Sequence, residues 1–171
     1  MKPLLAYTIR QEAVDDVAGI RAVVQAAFGR RSESDLVDSL RRSGALIFSA
    51  VALDDNRVVG HVAFSAVTIG ESHPAFALAP AAVAPDCQRQ GIGSALIRWS
   101  LEKCRQLGHE VVIVLGAPAY YRRFGFTPSS QFNIKCPFIV PSDEFMVLEL
   151  LPGAASQCRG MVHYPPEFES V

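Results

Sequence analysis

Residue types that could do chemistry concentrate in one short stretch, Gln88-Arg89-Gln90-Gly91-Ile92-Gly93-Ser94. It follows an apolar run ending Ala81-Ala82-Val83 and opens a segment with helical periodicity. The first turn of any helix leaves backbone N–H groups unpaired, and aligned peptide dipoles add partial positive charge there. Glycines let a ligand approach those amides with no β-carbon in the way, so the stretch suits a pyrophosphate. Three phosphate motifs compete for it. A Walker A loop needs Gly-Lys-Ser/Thr, whereas this chain has Gly93-Ser94-Ala95. A dinucleotide fingerprint needs a third glycine where Leu96 stands, and an acidic residue after the next strand, which Val111–Gly116 lacks. Gln/Arg-x-x-Gly-x-Gly/Ala remains, and Gln88, Gly91 and Gly93 fill it. Alone, that pattern also fits two glycines that merely permit a sharp strand-to-helix turn.

The elements that must position this turn can be read along the chain. Thr8–Arg10 reads as a strand, and Val14–Phe28 as a helix with Val17, Ile20, Val24 and Phe28 on one face. Ser32-x-x-Asp35 resembles a capping box opening a second helix that Gly44 can stop. Leu46–Leu53 and Val58–Ile69 are strand-like runs around a turn at Asp54-Asp55-Asn56-Arg57, which suggests a hairpin. Phe76–Ala84 is a third extended run, and Pro80 within it calls for a bulge or an edge position. A helix follows over Gly91–Leu107, ended by Gly108, then a doubly buried strand at Val111–Leu115. A short helix at Pro118–Phe124 leads through Gly125 to strands near Phe126 and at Phe145–Leu150. The expectation is an α/β (α+β) fold: a mixed, mostly antiparallel sheet with helices on both faces. One domain over 1–171 is expected, with its core about 7–151 and an irregular tail at 152–171 that contains three prolines.

Composition narrows the function. Half of the 171 residues are hydrophobic and the formal net charge is −1, so a phosphate-neutralising nucleic-acid binder is not expected. Met1-Lys2-Pro3-Leu4-Leu5-Ala6 is too short an apolar run for a signal or a membrane span, which points to the cytoplasm. Cys87, Cys104, Cys136 and Cys158 lie far apart and the histidines are scattered, so no metal-ligand spacing appears. Cys87 beside the phosphate turn reads as a small buried thiol.

Taken together, Val58-Val59-Gly60-His61-Val62, Ala82-Val83 leading into Gln88–Gly93, Tyr120-Tyr121-Arg122-Arg123-Phe124-Gly125-Phe126 and Phe145–Leu150 resemble the GNAT superfamily of acetyl-CoA-dependent N-acyltransferases, most closely its YhbS-like branch. The resemblance covers nearly the whole chain. It implies a sheet splayed at a cofactor slot and acetyl-CoA as co-substrate, with no metal. It assigns the CoA pyrophosphate to Gln88, Arg89, Gln90, Gly91, Ile92, Gly93 and Ser94, and the pantetheine arm to the backbone of Ala81, Ala82 and Val83 as an added strand. Pro118, Tyr121 and Phe124 are implied at the cofactor as well. Tyr121, four residues before Gly125, matches the family's tyrosine beside the departing sulfur, where a phenol can protonate a thiolate. Tyr120 reads as packing or pocket lining. The oxyanion donor implied is the amide of Ala82 or Val83. The general base stays open among His61, Glu71, His73 and a water chain. Val114 stands where many members carry asparagine, and Gly116-Ala117-Pro118 is short and stiff, so contacts near the sulfur depart from the pattern. The acceptor implied is a primary amine of a small molecule or peptide. Exposed strand edges leave room for a homodimer. A non-catalytic acyl-CoA-binding or regulatory module stands as the alternative to an enzyme.

Overall fold

The computed structural model describes residues 6–171; the reading of the first residues as no leader falls almost wholly outside them. Nine strands and four α-helices are present among the described residues, and no helix there is long and apolar enough to cross a membrane. The chain divides into two compact units. One takes the described residues up to Phe64 with Pro80–Ser100 and Glu167–Val171; the other takes Ser65–Ala79 and Leu101–Pro166.

In the first unit, β1 (Thr8–Gln11) pairs antiparallel with β2 (Leu46–Asp54), from Thr8↔Leu53 to Gln11↔Ala50. Next in the sheet come β3 (Arg57–Ile69) and then β4 (His73–Val83), each of which also contributes residues to the second unit. Asp55 takes φ 51° in the turn between β2 and β3, the left-handed geometry an aspartate tolerates there. Helix α1 (Val17–Phe28) buries Ile20, Val23 and Val24 and stops at Gly29, φ 70°. Helix α2 (Ser32–Ser43) buries Leu36, Val37 and Leu40 and stops at Gly44, φ 81°. The expected capping box is not formed. Ser32 already lies inside α2 and its hydroxyl goes to Glu33, while Asp35 is drawn away to Arg21. Longer-range charge pairing has won over the local cap. Pro80 is carried inside β4 without interrupting it. From Ile92 the helix α3 (Ile92–Gln106) begins, and Phe48 tilts against both Phe64 and Trp99 at ring separations of 5.8 and 6.2 Å.

In the second unit, β5 (Val111–Leu115) runs parallel to β4 through Phe76↔Val112 and Ala77↔Ile113. Its other edge carries β8 (Phe145–Glu149), antiparallel from Val111↔Glu149 to Leu115↔Phe145. The two-residue β6 (Thr127–Pro128) adds to β8. Helix α4 is a single turn, Pro118–Tyr121, continued by a 3₁₀ turn at Arg122–Phe124. Val67, Ile69, Ile113, Phe145, Val147 and Val162 form the buried cluster of this unit.

The tail departs from the sequence reading. Gly160–His163 is a strand, β9, antiparallel to β3 at Thr68↔His163 and Ile69↔Val162, and parallel to the short β7 (Ile134–Lys135). A β-carbon on Gly160 would stand 3.1 Å from the Gly70 Cα, so the approach of these backbones requires glycine. A four-residue strand that starts on glycine carries no alternation long enough to be seen in the sequence.

Candidate active site

The phosphate turn is built by backbone bonds that the sequence does not advertise. As β4 ends, the Ala84 N–H donates to the Val59 carbonyl at 2.8 Å, and a 3₁₀ turn at Pro85–Cys87 closes with the Cys87 N–H on the Ala84 carbonyl. Two bonds of 2.9 Å from Arg57 hold Asp86, and this guanidinium takes its carboxyl down to about 2. The Gln88 side-chain amide donates to the Val83 carbonyl at 3.0 Å, which fastens the turn to the strand it leaves. The motif glutamine therefore acts on the protein's own backbone. Arg89 then takes φ 61° and Gly91 φ 85°. Left-handed residues bend the chain sharply there, a backbone geometry that can turn N–H groups toward an anion. The Ala95 N–H donates to the Gly91 carbonyl at 3.0 Å, which ties the turn to the first turn of α3. A β-carbon on Gly91 would meet nothing within 4 Å, so glycine is needed there for its φ rather than for space.

Gly60 fixes where α3 starts. A β-carbon there would meet the Ile92 side chain at 3.2 Å, Ala52 at 3.3 Å and Leu96 at 3.4 Å. The helix that offers its N-terminus thus rests directly on the β3 backbone. Gly60 stands in the Val58–Val62 motif, where the sequence alone shows nothing of this contact. Ala82 is buried, with Ala81 and Val83 half-buried on either side; Cys87 is a buried free thiol whose proton is held more tightly by burial.

Tyr121 sits in the second unit, where α4 gives way to the 3₁₀ turn. Both the Tyr120 and Tyr121 N–H groups donate to the Ala117 carbonyl at 3.1 Å, with Pro118 at the helix start. The Tyr121 ring meets Tyr120 edge-on at 5.1 Å and Phe126 at 5.8 Å, and lies 6.3 Å from Phe124. Its floor is Gly116, where a β-carbon would come within 2.4 Å of Tyr121 Cε2. Burial, with Tyr120 adding to it, pushes the phenol up to about 12, so it keeps its proton throughout the physiological range. Tyr120 meets Tyr121 and Phe124 edge-on, and the Arg123 guanidinium lies 4.5 Å over its ring.

Of the base candidates, Glu71 is exposed in the turn before β4 and His73 is half-buried at its first position. His61 is fully buried in the first unit. The Ser49 hydroxyl donates to Glu12 and leaves its oxygen to His61 Nε2, 2.8 Å away. Arg41 donates to the same carboxylate at 2.9 and 3.2 Å. This arrangement makes Nε2 the protonated nitrogen and leaves Nδ1 a buried acceptor without a partner among the described residues. Burial lowers the His61 pKa despite Glu12 nearby. A ring enclosed in this way has no route to an acceptor.

A strand-to-helix turn on an antiparallel hairpin, and a half-buried phenol after a parallel strand, are the marks of an acyltransferase fold. Residues 8–129 match the family model of the acetyltransferase (GNAT) domain, and the chain belongs to the GNAT acetyltransferases. It is 35% identical over 162 residues to the Escherichia coli N-acetyltransferase YhbS, covering 94% of this chain and 97% of that one. It is 38% identical over 143 residues to the Escherichia coli N-acetyltransferase YjhQ, covering 80% and 79%. The crystal structure of YhbS in complex with CoA superposes with a TM-score of 0.93, at 34% identity over 99% of this chain and 95% of that one. A Brucella melitensis GNAT acetyltransferase in complex with acetyl-CoA gives 0.81, at 36% identity over 96% and 99%.

Proposed function

We propose that the protein transfers an acetyl group directly from acetyl-CoA to a primary amine of a small molecule or peptide. The single observation that carries this is the turn Gln88–Ser94, with its left-handed Arg89 and Gly91 ahead of the first α3 amides. Relatives of similar length crystallised with CoA and with acetyl-CoA support it. In this reading the backbone from Gln88 to Ser94 binds the pyrophosphate, and Ala81, Ala82 and Val83 extend a ladder to the pantetheine amides. Pro118 and Phe124 flank the arm near the sulfur.

The amine lone pair attacks the thioester carbonyl carbon, and the amide of Ala82 or Val83 donates to the oxygen as charge develops there. As the carbon–sulfur bond breaks, the electron pair leaves with sulfur and the Tyr121 O–H protonates it. The proton lost by the amine nitrogen restores the phenol through water, so the products are an N-acetyl amine and CoA. A phenol near 12 is a weak donor to an ordinary thiolate near 8.5. The same desolvation acts on the thiolate inside the cleft and narrows that gap. The free thiols at Cys87, Cys104, Cys136 and Cys158 favour a reducing, cytoplasmic setting.

Isothermal titration with acetyl-CoA, with adenosine as control, tests the donor site. Saturable binding in the micromolar range is expected, and no binding up to millimolar acetyl-CoA would remove the acyltransferase reading. The enclosed His61 favours one competing reading, a non-catalytic acyl-CoA-binding module. Acetyl-CoA binding without thiol release to any amine at pH 9–10, where acceptors are already neutral, would select it.

A further inference from the structure

We infer that the second unit contains the acceptor pocket and that it takes a small amine carrying a carboxylate; this rests on the acetyl-transfer reading above. A cavity of about 390 Å³ lies among Ser129, Ser130, Asn133, Lys135, Ser142 and Phe145, the size range of small-molecule sites. Strand register puts it at the same strand end as the phenol's seat, on the opposite face of β8. Phe145 and Val147 project away from the Leu148 side, on which Phe126 and Tyr121 pack. Phe145 opens β8 and pairs with Leu115, the last residue of β5. Gly116 follows, donating its N–H to the Glu144 carbonyl at 3.0 Å, and Gly116 is the floor under the Tyr121 ring. From the other edge of β8, Pro128 pairs with Met146 and delivers Ser129 to the same strand end. One wall of the cavity and the Tyr121 support therefore hang from a single β5–β8 end.

The lining chooses the ligand's charge. Ser129, Ser130, Ser142 and Asn133 supply neutral donors and acceptors; Lys135 is the one charged residue, and no carboxylate lines the cavity. Lys135 enters no ion pair among the described residues. Asp143 and Glu144 neighbour the cavity in sequence without lining it. A polyamine would bring cations to a lysine and find no counter-charge. An amine with a carboxylate can give that group to Lys135 and the serine hydroxyls and leave its nitrogen free to react.

Thiol release from acetyl-CoA by the full chain, with glycine, L-glutamate and spermidine as acceptors, tests this. Turnover with the carboxylate amines and none with spermidine is expected. Lys135→Glu should raise the KM of the carboxylate amine about tenfold or more, the value of one lost charge-assisted bond, with the KM for acetyl-CoA unchanged. Lys135→Arg should restore it. Faster turnover of spermidine, or an unchanged acceptor KM in Lys135→Glu, overturns the pocket's assignment. Acetyl-CoA binding with no turnover of either carboxylate amine overturns it too and leaves the donor site standing, whereas loss of acetyl-CoA binding removes both readings.

Discussion

At the scale of single residues, what matters at Tyr121 is the absence of a side chain beneath it. Gly116 has no β-carbon, and that vacancy is what lets Cε2 and Cδ2 of the ring approach the backbone just past β5. Gly116→Ala should tilt the phenol, because the added carbon would overlap ring carbon Cε2. We expect kcat to fall about tenfold, a fraction of the 10²–10⁴ that a general acid contributes, while the KM for acetyl-CoA moves less than threefold. Tyr121→Phe should cost at least as much, and combining both changes should add little to it, because each removes the same proton transfer. Additive losses in steady-state assays would show that Gly116 acts on something other than the phenol. The raised phenol pKa carries its own consequence. Tyr121 at about 12 keeps its proton up to pH 10, so kcat should not decline between pH 7 and 10. A basic limb near 9 in the kcat profile would mean that another group is the acid.

Elements were legible in the sequence in proportion to their length and pattern. The three long strands, the amphipathic α1 and α3, and the glycine stops at Gly44 and Gly108 could all be placed, because hydrophobic periodicity and left-handed termini leave clear marks. β6 lies where a strand was expected near Phe126, but β7 and β9 could not be placed, since strands of two to four residues form only through partners distant in the chain. The Ser32 cap failed because Arg21, fourteen residues away, takes Asp35 while Glu33 pairs with the nearby Arg30, and the first of these is a tertiary fact. The phosphate turn was visible as a motif, yet the glutamine bond to Val83 and the seating of α3 on Gly60 were not. That seating is testable. Gly60→Ala brings a methyl to 3.2–3.4 Å from Ile92, Ala52 and Leu96, so the start of α3 must shift by a few tenths of an ångström. We expect a loss of about 1–2 kcal/mol, roughly 2–8 °C in Tm for a chain of this size. The acetyl-CoA Kd should rise several-fold in the same protein, because the anion site moves with the helix. An altered Tm with an unaltered Kd would separate helix packing from cofactor binding.

For the whole molecule, the acidic side of pH sets the stability limit. His61 and His109 both titrate below the ordinary 6.5 in the folded protein, His61 through full burial and His109 through burial against Phe76, whose ring lies 3.8 Å away. A lowered folded pKa means that the unfolded chain binds protons first. Stability from these rings is therefore complete above pH 6.5 and is lost as pH falls through and below it. Glu12 continues the trend at lower pH. Burial opposes its charge, but bonds involving His61, Arg41 and Ser49 outweigh that and bring it from 4.5 to about 2. Its contribution, about 2–3 kcal/mol, is present above pH 4.5 and disappears between there and pH 2. Asp16 beside Arg10 and Glu33 beside Arg30 move in the same direction. Urea unfolding from pH 7.5 to 5 should thus show ΔG falling with pH, by at most about 1.4 kcal/mol per pH unit for the buried His61 and by less for the half-exposed His109. In His61→Gln, neutral at every pH, that slope should diminish by close to one proton, whatever the absolute loss from disturbing Ser49 and Glu12. An undiminished slope would mean that His61 is protonated in the folded state and that Glu12, 3.6 Å from its Nε2, forms a true ion pair with it.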